Sequence, residues 1–227
     1  MKTKQIILLI VSIAFLNMSG CKKKKTASDE NQDPNQIPGY ELIAYYPFTT
    51  DCKEANGKNN DFTCVNVQHG NKGVYLNGIY IYDSNGGGSK AEVNLSGFNP
   101  DDFIIEFEYL AEEDFKPVFV GGTSYRWLYL YTYNGNLRLS IFMRNGNFDD
   151  QIIETGTPLN TMRKIKIRYK KSDNRSIKVF INDNEIKSYN LPEDLDTRNE
   201  LIFCSNHYGY GNNFKGYWRN MKFYKAE

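Results

Sequence analysis

The sequence is poor in histidine and cysteine, the residues that most often serve near-neutral proton transfer and zinc binding. Its 227 residues include only two histidines, His69 and His207, and four cysteines, Cys21, Cys52, Cys64 and Cys204. The cysteine spacings do not match a zinc site. No Gly-x-Ser-x-Gly elbow is present for a nucleophilic serine, and Gly86-Gly87-Gly88 is not followed by the Lys-Ser/Thr of a phosphate loop. Neither charge sign prevails, with 28 Lys and Arg against 27 Asp and Glu. The first 39 residues hold six of those bases and three of the acids, so 22 basic and 24 acidic residues remain for the body. A body this close to neutral lacks the electrostatic footprint of a nucleic-acid binder. Amphipathic helical periodicity is also missing, and only Pro192–Asn199 could hold a helical turn. The longest apolar run, Ile6–Leu16, is shorter than the roughly 20 residues needed to span a bilayer.

That run has a different meaning in its setting. Lys2 and Lys4 precede it, Asn17-Met18-Ser19-Gly20 follows it, and Cys21 comes next. A basic start, a short apolar centre and small residues before a cut form the layout of a signal peptide. Met18-Ser19-Gly20-Cys21 resembles a bacterial lipobox, with Met18 where Leu is usual. The resemblance implies cleavage before Cys21 and lipid on that cysteine, giving a lipid-anchored protein of the bacterial cell envelope, at the outer membrane or cell surface. Several acyl chains, at about 0.8 kcal/mol per buried CH₂, make a stable anchor. Residues 1–20 are then the signal peptide. Residues 21–39, polar and carrying Lys22–Lys25, Pro34 and Pro38, form a disordered tether. Residues 40–227 are long enough for one domain with a real core.

Within that body, aromatic residues make up 15% of the chain, with 17 tyrosines. Short β-like runs are separated by Gly, Asn and Asp. They are Leu42–Phe48, Cys64–Val67, Gly73–Tyr82, Phe103–Leu110, Lys116–Val120, Tyr125–Tyr133, Leu137–Arg144, Gln151–Glu154, Arg163–Lys170, Ser176–Ile181, Glu185–Tyr189, Leu201–Cys204 and Phe214–Tyr224. Such spacing predicts an antiparallel sandwich or jelly roll. Asn134-Gly135 predicts a type I′ hairpin, because both residues accept positive φ. A two-residue loop pairs Tyr133 with Asn136, Leu130 with Leu139 and Leu128 with Ile141. Leu128, Leu130, Leu137, Leu139, Ile141 and Met143 then share one face, with Trp127, Tyr129, Tyr131, Arg138, Ser140, Phe142 and Arg144 on the other. A second hairpin alternates Ile165, Ile167 and Tyr169 with Lys164, Lys166, Arg168 and Lys170, and returns through Ile177, Val179 and Ile181. One apolar and one basic face is the pattern of a sheet solvated on one side.

Export favours disulfide formation. Cys52 and Cys64 bracket a polar turn-rich stretch, so a local bridge is preferred, although the three pairings among Cys52, Cys64 and Cys204 stay open. Cys204, in the run Leu201-Ile202-Phe203-Cys204, reads as a buried thiol.

Three stretches resemble the concanavalin A-like, or laminin-G-like, lectin/glucanase superfamily. Leu42–Phe48 with Asn56-Gly57-Lys58-Asn59-Asn60-Asp61 is similar to its opening strand and loop. Ile165–Ile186 is similar to its central strand–turn–strand unit. Phe214–Tyr224 is similar to its closing strand. Arg219-Asn220 replaces the usual acidic pair, and Asn182-Asp183-Asn184 lacks the usual turn glycine. The resemblance implies a two-sheet antiparallel jelly-roll sandwich with its first and last strands paired. Fold alone does not fix function.

Glycoside cleavage on this fold needs a third acid beyond Glu106 and Glu108, and Tyr109, Leu110 and Ala111 stand in its place. The two acids read as a solvated strand face, and the histidines as surface residues in Gly/Asn-rich loops. No cofactor is implied, with calcium the one metal to consider, through Asp51, Asn56, Asp61 and Asp83 in the loops. Carbohydrate has a clearer basis, since sugar C–H faces stack on aromatic rings while hydroxyls pair with amide and guanidinium groups. Trp127, Tyr129 and Tyr131 with Arg126, Arg138 and Arg144 supply both, as do Asn206, His207, Tyr208, Tyr210, Asn212 and Asn213. The expectation is a non-catalytic lipoprotein binding a glycan. The alternatives are an adhesion lipoprotein binding a surface protein and, third, a divergent glycosidase.

Overall fold

The computed structural model describes residues 35–58, 60–79, 87–95, 101–122, 128–195, 202–204 and 213–227. The expected leader and most of the tether, with Cys21, lie outside them, as do Asp83, Arg126, Trp127, Asn206, His207, Tyr208, Tyr210 and Asn212. Residues 37–227 form one compact unit. Among the described residues every strand pairing is antiparallel and no helix occurs.

The strands are β1 (Tyr40–Tyr46), β2 (Thr63–Val65), β3 (Gln68–Gly70), β4 (Gly73–Asn77), β5 (Lys90–Asn94), β6 (Asp102–Ala111), β7 (Pro117–Gly121), β8 (Leu128–Tyr133), β9 (Asn136–Phe142), β10 (Phe148–Thr155), β11 (Arg163–Lys170), β12 (Ser176–Ile181), β13 (Asn184–Asn190), β14 (Ile202–Cys204) and β15 (Lys215–Ala226). The first sheet runs β13-β12-β11-β6-β15-β4-β3, with β1 also paired to β15. The second runs β10-β9-β8-β7-β14-β5-β2.

The period-two patterns decide which faces meet. Ile165, Ile167, Ile177 and Val179 of the first sheet and Leu128, Leu130, Leu137, Leu139 and Ile141 of the second are fully buried in one core. Phe107 of β6 stacks on Phe119 of β7 at 5.3 Å, an aromatic contact that joins the two sheets. Arg163 at the start of β11 is buried and forms a bidentate pair with Glu154 of β10, with nitrogen–oxygen distances of 2.6 and 2.5 Å. It ties a strand of one sheet to a strand of the other.

The predicted hairpin register is observed, with Tyr133 opposite Asn136, Leu130 opposite Leu139 and Leu128 opposite Ile141. Asn134 and Gly135 both have positive φ, 52° and 67°. In the turn without a glycine, Asn182 and Asp183 take positive φ themselves, 49° and 66°, and close the β12–β13 hairpin. Asn and Asp tolerate that region better than other non-glycine residues.

Some expected boundaries shift. Cys64–Val67 shortens to β2, because Asn66 takes a left-handed φ of 50°. Gly73–Tyr82 ends as β4 at Asn77, before Gly78 at φ 77°. Gln151–Glu154 extends in both directions to Phe148–Thr155. β3 and β5 have no counterpart in the sequence reading.

Cys52 and Cys64 form a disulfide, while the side chain of Cys204 lies outside the described residues. The bridge closes a loop organised around Glu54, which is 7% exposed. Its carboxylate accepts the N–H groups of Tyr45 (3.1 Å), Asn56 (2.8 Å) and Lys58 (2.8 Å). Asp61 accepts the N–H of Glu54 at 2.9 Å. Opening a ring of this size releases unfolded-state entropy worth about 3 kcal/mol. The double variant Cys52→Ser/Cys64→Ser is therefore expected to lose about 2–4 kcal/mol in urea unfolding, and reductant should leave its midpoint unchanged while lowering that of the parent chain.

Candidate functional site

The outer face of the second sheet carries a mixed aromatic and polar cluster on β8, β9 and β10. The register places Tyr131 opposite Arg138 and Tyr129 opposite Ser140. On the other side of β9, Asp150 stands opposite Ser140 and Phe148 opposite Phe142. These residues point away from the core because their neighbours Leu128, Leu130, Leu137, Leu139 and Ile141 fill it.

Asp150 is the hub of the cluster. Its Oδ1 accepts the Tyr131 hydroxyl at 3.0 Å and the Ser140 hydroxyl at 2.9 Å. Its Oδ2 accepts Arg138 Nε at 3.1 Å and also Arg138 Nη2. Four donors occupy the acceptor capacity of one carboxylate. What the cluster can still offer a ligand is the Arg138 Nη1 donors and the lone pairs of the Tyr131 hydroxyl, since Ser140 is buried. Partial burial raises the Asp150 pKa, but the hydrogen bonds from Arg138, Ser140 and Tyr131 outweigh it and hold the carboxyl below its usual value. Burial, reinforced by the nearby Asp150 charge, pushes the Tyr131 phenol up and keeps it a donor.

The rings of Tyr129 and Tyr131 face each other, with centroids 4.8 Å apart and planes at 23°. The two tyrosines therefore form a stacked ridge, in which their inner faces are already occupied, rather than a flat two-ring platform. Both remain half-buried on the outer face and are not covered by the first sheet. Phe142 and Phe148 stack at 5.8 Å, with Phe148 65% exposed, and Ile152 follows Asp150 on the same face.

The acids of β6 depart from the expected solvated face. Glu106 is only 8% exposed, because Lys164 (3.2 Å) and Lys222 (3.6 Å) converge on it. Glu108 accepts Arg219 Nε at 2.7 Å and Asn220 Nδ2 at 2.8 Å. Arg219 and Asn220 thus neutralise and bind Glu108. His69 lies on edge strand β3 rather than in a loop, with Nδ1 3.1 Å from the Phe48 carbonyl. In the loop considered for calcium, Asp51 caps the N–H of Lys53 at 3.0 Å while Asp61 holds Glu54. Among the described residues no three His, Cys, Asp or Glu side chains converge as metal ligands.

Solved structures share this architecture. Domain 4 of a GH43 extracellular arabinanase from Geobacillus stearothermophilus, determined with arabinotriose, superposes with a TM-score of 0.63 at 18% identity, covering 83% of this chain and 94% of that one. The binding domain of Paraclostridial Mosquitocidal Protein 1 gives 0.61 at 19% identity, covering 82% and 49%. The binding domain of botulinum neurotoxin DC, in complex with rat synaptotagmin II, gives 0.59 at 14% identity, covering 82% and 48%. The chain spans about half the length of these two toxin domains. At such identities the likeness is one of fold. No protein-family model matches the chain, and no curated protein does.

Of the residues singled out from sequence, the structure brings Tyr129, Tyr131 and Arg138 together. Arg144 does not join them. β9 ends at Phe142, Met143 turns inward to bridge Leu195, and the Arg144 backbone donates to the Asp194 carbonyl at 2.9 Å with its side chain exposed. Asn213, grouped with the tyrosine loop as a ligand contact, is 1% exposed and so is part of the interior. Asp150 and Phe148 escaped the sequence reading because β10 was drawn too short. The alternation Phe148, Asp150, Ile152 was the signal that could have found them.

Because Asp150 is held below its usual pKa, its contribution to stability is complete above the ordinary aspartate value of 3.8 and is lost as pH falls through the lower folded value. Asp150→Asn is expected to cost roughly 0.2–1 kcal/mol near neutrality. Urea midpoints measured down the acid range should converge with those of the parent chain, and a constant gap would show that Asp150 does not hold the cluster through its charge.

Proposed function

We propose that this chain is a non-catalytic, lipid-anchored binding protein that takes carbohydrate on the outer face of its second sheet. The observation that carries the reading is the Tyr131–Ser140–Arg138–Asp150 cluster beside the Tyr129 ring. Polar groups that already satisfy one another are held in fixed positions, so a ligand loses little freedom in ordering them. Aromatic carbon beside them matches the alternation of C–H faces and hydroxyls around a sugar ring. The arabinanase domain, determined with arabinotriose, supports this choice of ligand. Glu106 and Glu108, each engaged by cations on a crowded sheet face, are poorly placed to act as a catalytic acid and nucleophile.

The anchor belongs to the same reading. Lys2, Lys4, the run Ile6–Leu16 and Met18-Ser19-Gly20-Cys21 supply an export signal and a lipid acceptor. A binding domain on a lipid anchor gains effective concentration at the envelope surface, which suits capture of polymers.

Two measurements test these proposals separately. On a glycan array the full chain is expected to bind neutral oligosaccharides, with Tyr131→Ala at least about tenfold weaker, equivalent to 1.4 kcal/mol. Absence of binding to every glycan would sink the carbohydrate reading, and retained binding to a protein partner would favour the adhesion alternative. For the anchor, cells fed labelled palmitate should label the parent chain and leave Cys21→Ser unlabelled. Equal labelling of the two would remove Cys21 as the acceptor.

A further inference from the structure

The first sheet presents a second concavity, at the edge formed by β3 and β4. Gly70 pairs with Gly73, so the turn between these strands is only Asn71 and Lys72. Gly73 sits against β15 at φ 104°, where a Cβ would fall 1.9 Å from the Trp218 carbonyl oxygen. Only glycine permits that approach, and it draws the hairpin tip over β15. The register then sets Gln68, Tyr75 and Tyr217 in one row across β3, β4 and β15 on the solvent side.

The two tyrosine rings lie 4.8 Å apart, tilted by 46°, and Lys72 Nζ stands 5.3 Å from the Tyr217 centroid. With His69, Gly70 and Asn71 they line a cavity of about 230 Å³. That volume falls below the roughly 300–1,000 Å³ of drug-sized sites and suits a single sugar ring.

The charges around it are unevenly satisfied. Arg219 is bound to Glu108 and to the Asn71 carbonyl, the latter at 3.4 Å. Lys215 pairs with Glu113 at 2.8 Å, and the Tyr75 hydroxyl donates to Glu112 at 3.1 Å. Among the described residues Lys72 has no carboxylate partner and the Gln68 amide has no hydrogen bond. The pocket therefore offers an aromatic wall, an uncommitted amide and an ammonium without a carboxylate partner, which rests over the Tyr217 ring until a ligand carboxylate draws it away.

We propose that this pocket binds one carboxylated sugar unit, of the hexuronate class. The sugar's C–H face would lie on Tyr217 and its hydroxyls would pair with Gln68. Its carboxylate would meet Lys72, whose compact charge on a flexible stem does not demand a fixed geometry. The site stands on the sheet opposite the Tyr129–Tyr131 face and does not depend on the function proposed for that face.

Calorimetric titration of the full chain with trimers of galacturonate, glucuronate and mannuronate, each beside its carboxyl-reduced neutral counterpart, tests the assignment. At least one acidic trimer should bind at least tenfold more tightly than its reduced form. Lys72→Met, which keeps the aliphatic stem and removes the charge, should abolish that preference. Tyr131→Ala should leave it intact. Failure of all three acidic trimers to bind, equal affinity for acidic and reduced forms, persistence of the preference in Lys72→Met, or its loss in Tyr131→Ala would each overturn the proposal.

Discussion

Strand β15 is the element on which the first sheet depends, because it is hydrogen-bonded along both edges. One edge pairs with β6 throughout, while the other pairs first with β4 and then with β1. The change of partner falls at a bulge around Asn220, whose φ is 51°. A bulge leaves backbone groups to be satisfied, and here the Asn220 N–H reaches the Pro47 carbonyl at 3.4 Å. Its side chain links the Tyr45 hydroxyl to Glu108, at 3.2 and 2.8 Å. Asn220 is therefore the joint where β1, β6 and β15 meet.

The two outer faces differ in how they use charge. On the first sheet, lysines and arginines of β11 and β15 close over the acids of β6, and Glu106 becomes nearly as inaccessible as a core residue. Such pairs add little net stability, but they fix the side chains, bury Glu106 and leave Glu108 only partly exposed. On the second sheet one carboxylate gathers one guanidinium and two hydroxyls around aromatic rings, leaving directional donors and acceptors facing outward. The same pairing of opposite charge shields one face and leaves the other able to bind.

Period-two alternation made most of the sandwich legible in the sequence. Arg163–Lys170 and Ser176–Ile181 stand where alternation placed them, and Asn134-Gly135 set the register of its hairpin through the φ values those two residues accept. β3 was invisible because Gln68-His69-Gly70 has no apolar residue to alternate, whereas Lys90-Ala91-Glu92-Val93-Asn94 does alternate, with Ala91 and Val93 buried, but is short and its apolar members are small. They are strands because neighbours pair with them. Glu54 was equally unreadable, since a carboxylate that collects backbone N–H groups is defined by the path of the loop. The cluster on the second sheet was half legible. Tyr129, Tyr131 and Arg138 followed from the hairpin register, whereas Asp150, which fixes them, comes from a third strand marked only by the short alternation Phe148, Asp150, Ile152.

The pairing of β1 with β15 also has a consequence in time. Tyr40 meets Ala226 and Tyr46 meets Met221, so the one strand that pairs with β1 among the described residues is the last to be made. At synthesis rates of 5–20 residues per second, that wait is on the order of ten to forty seconds. Contacts this distant in sequence form late and slowly. Hairpins of consecutive strands, β8–β9 and β11–β12, can pair within that interval, while the centre of the first sheet must wait for its last strand.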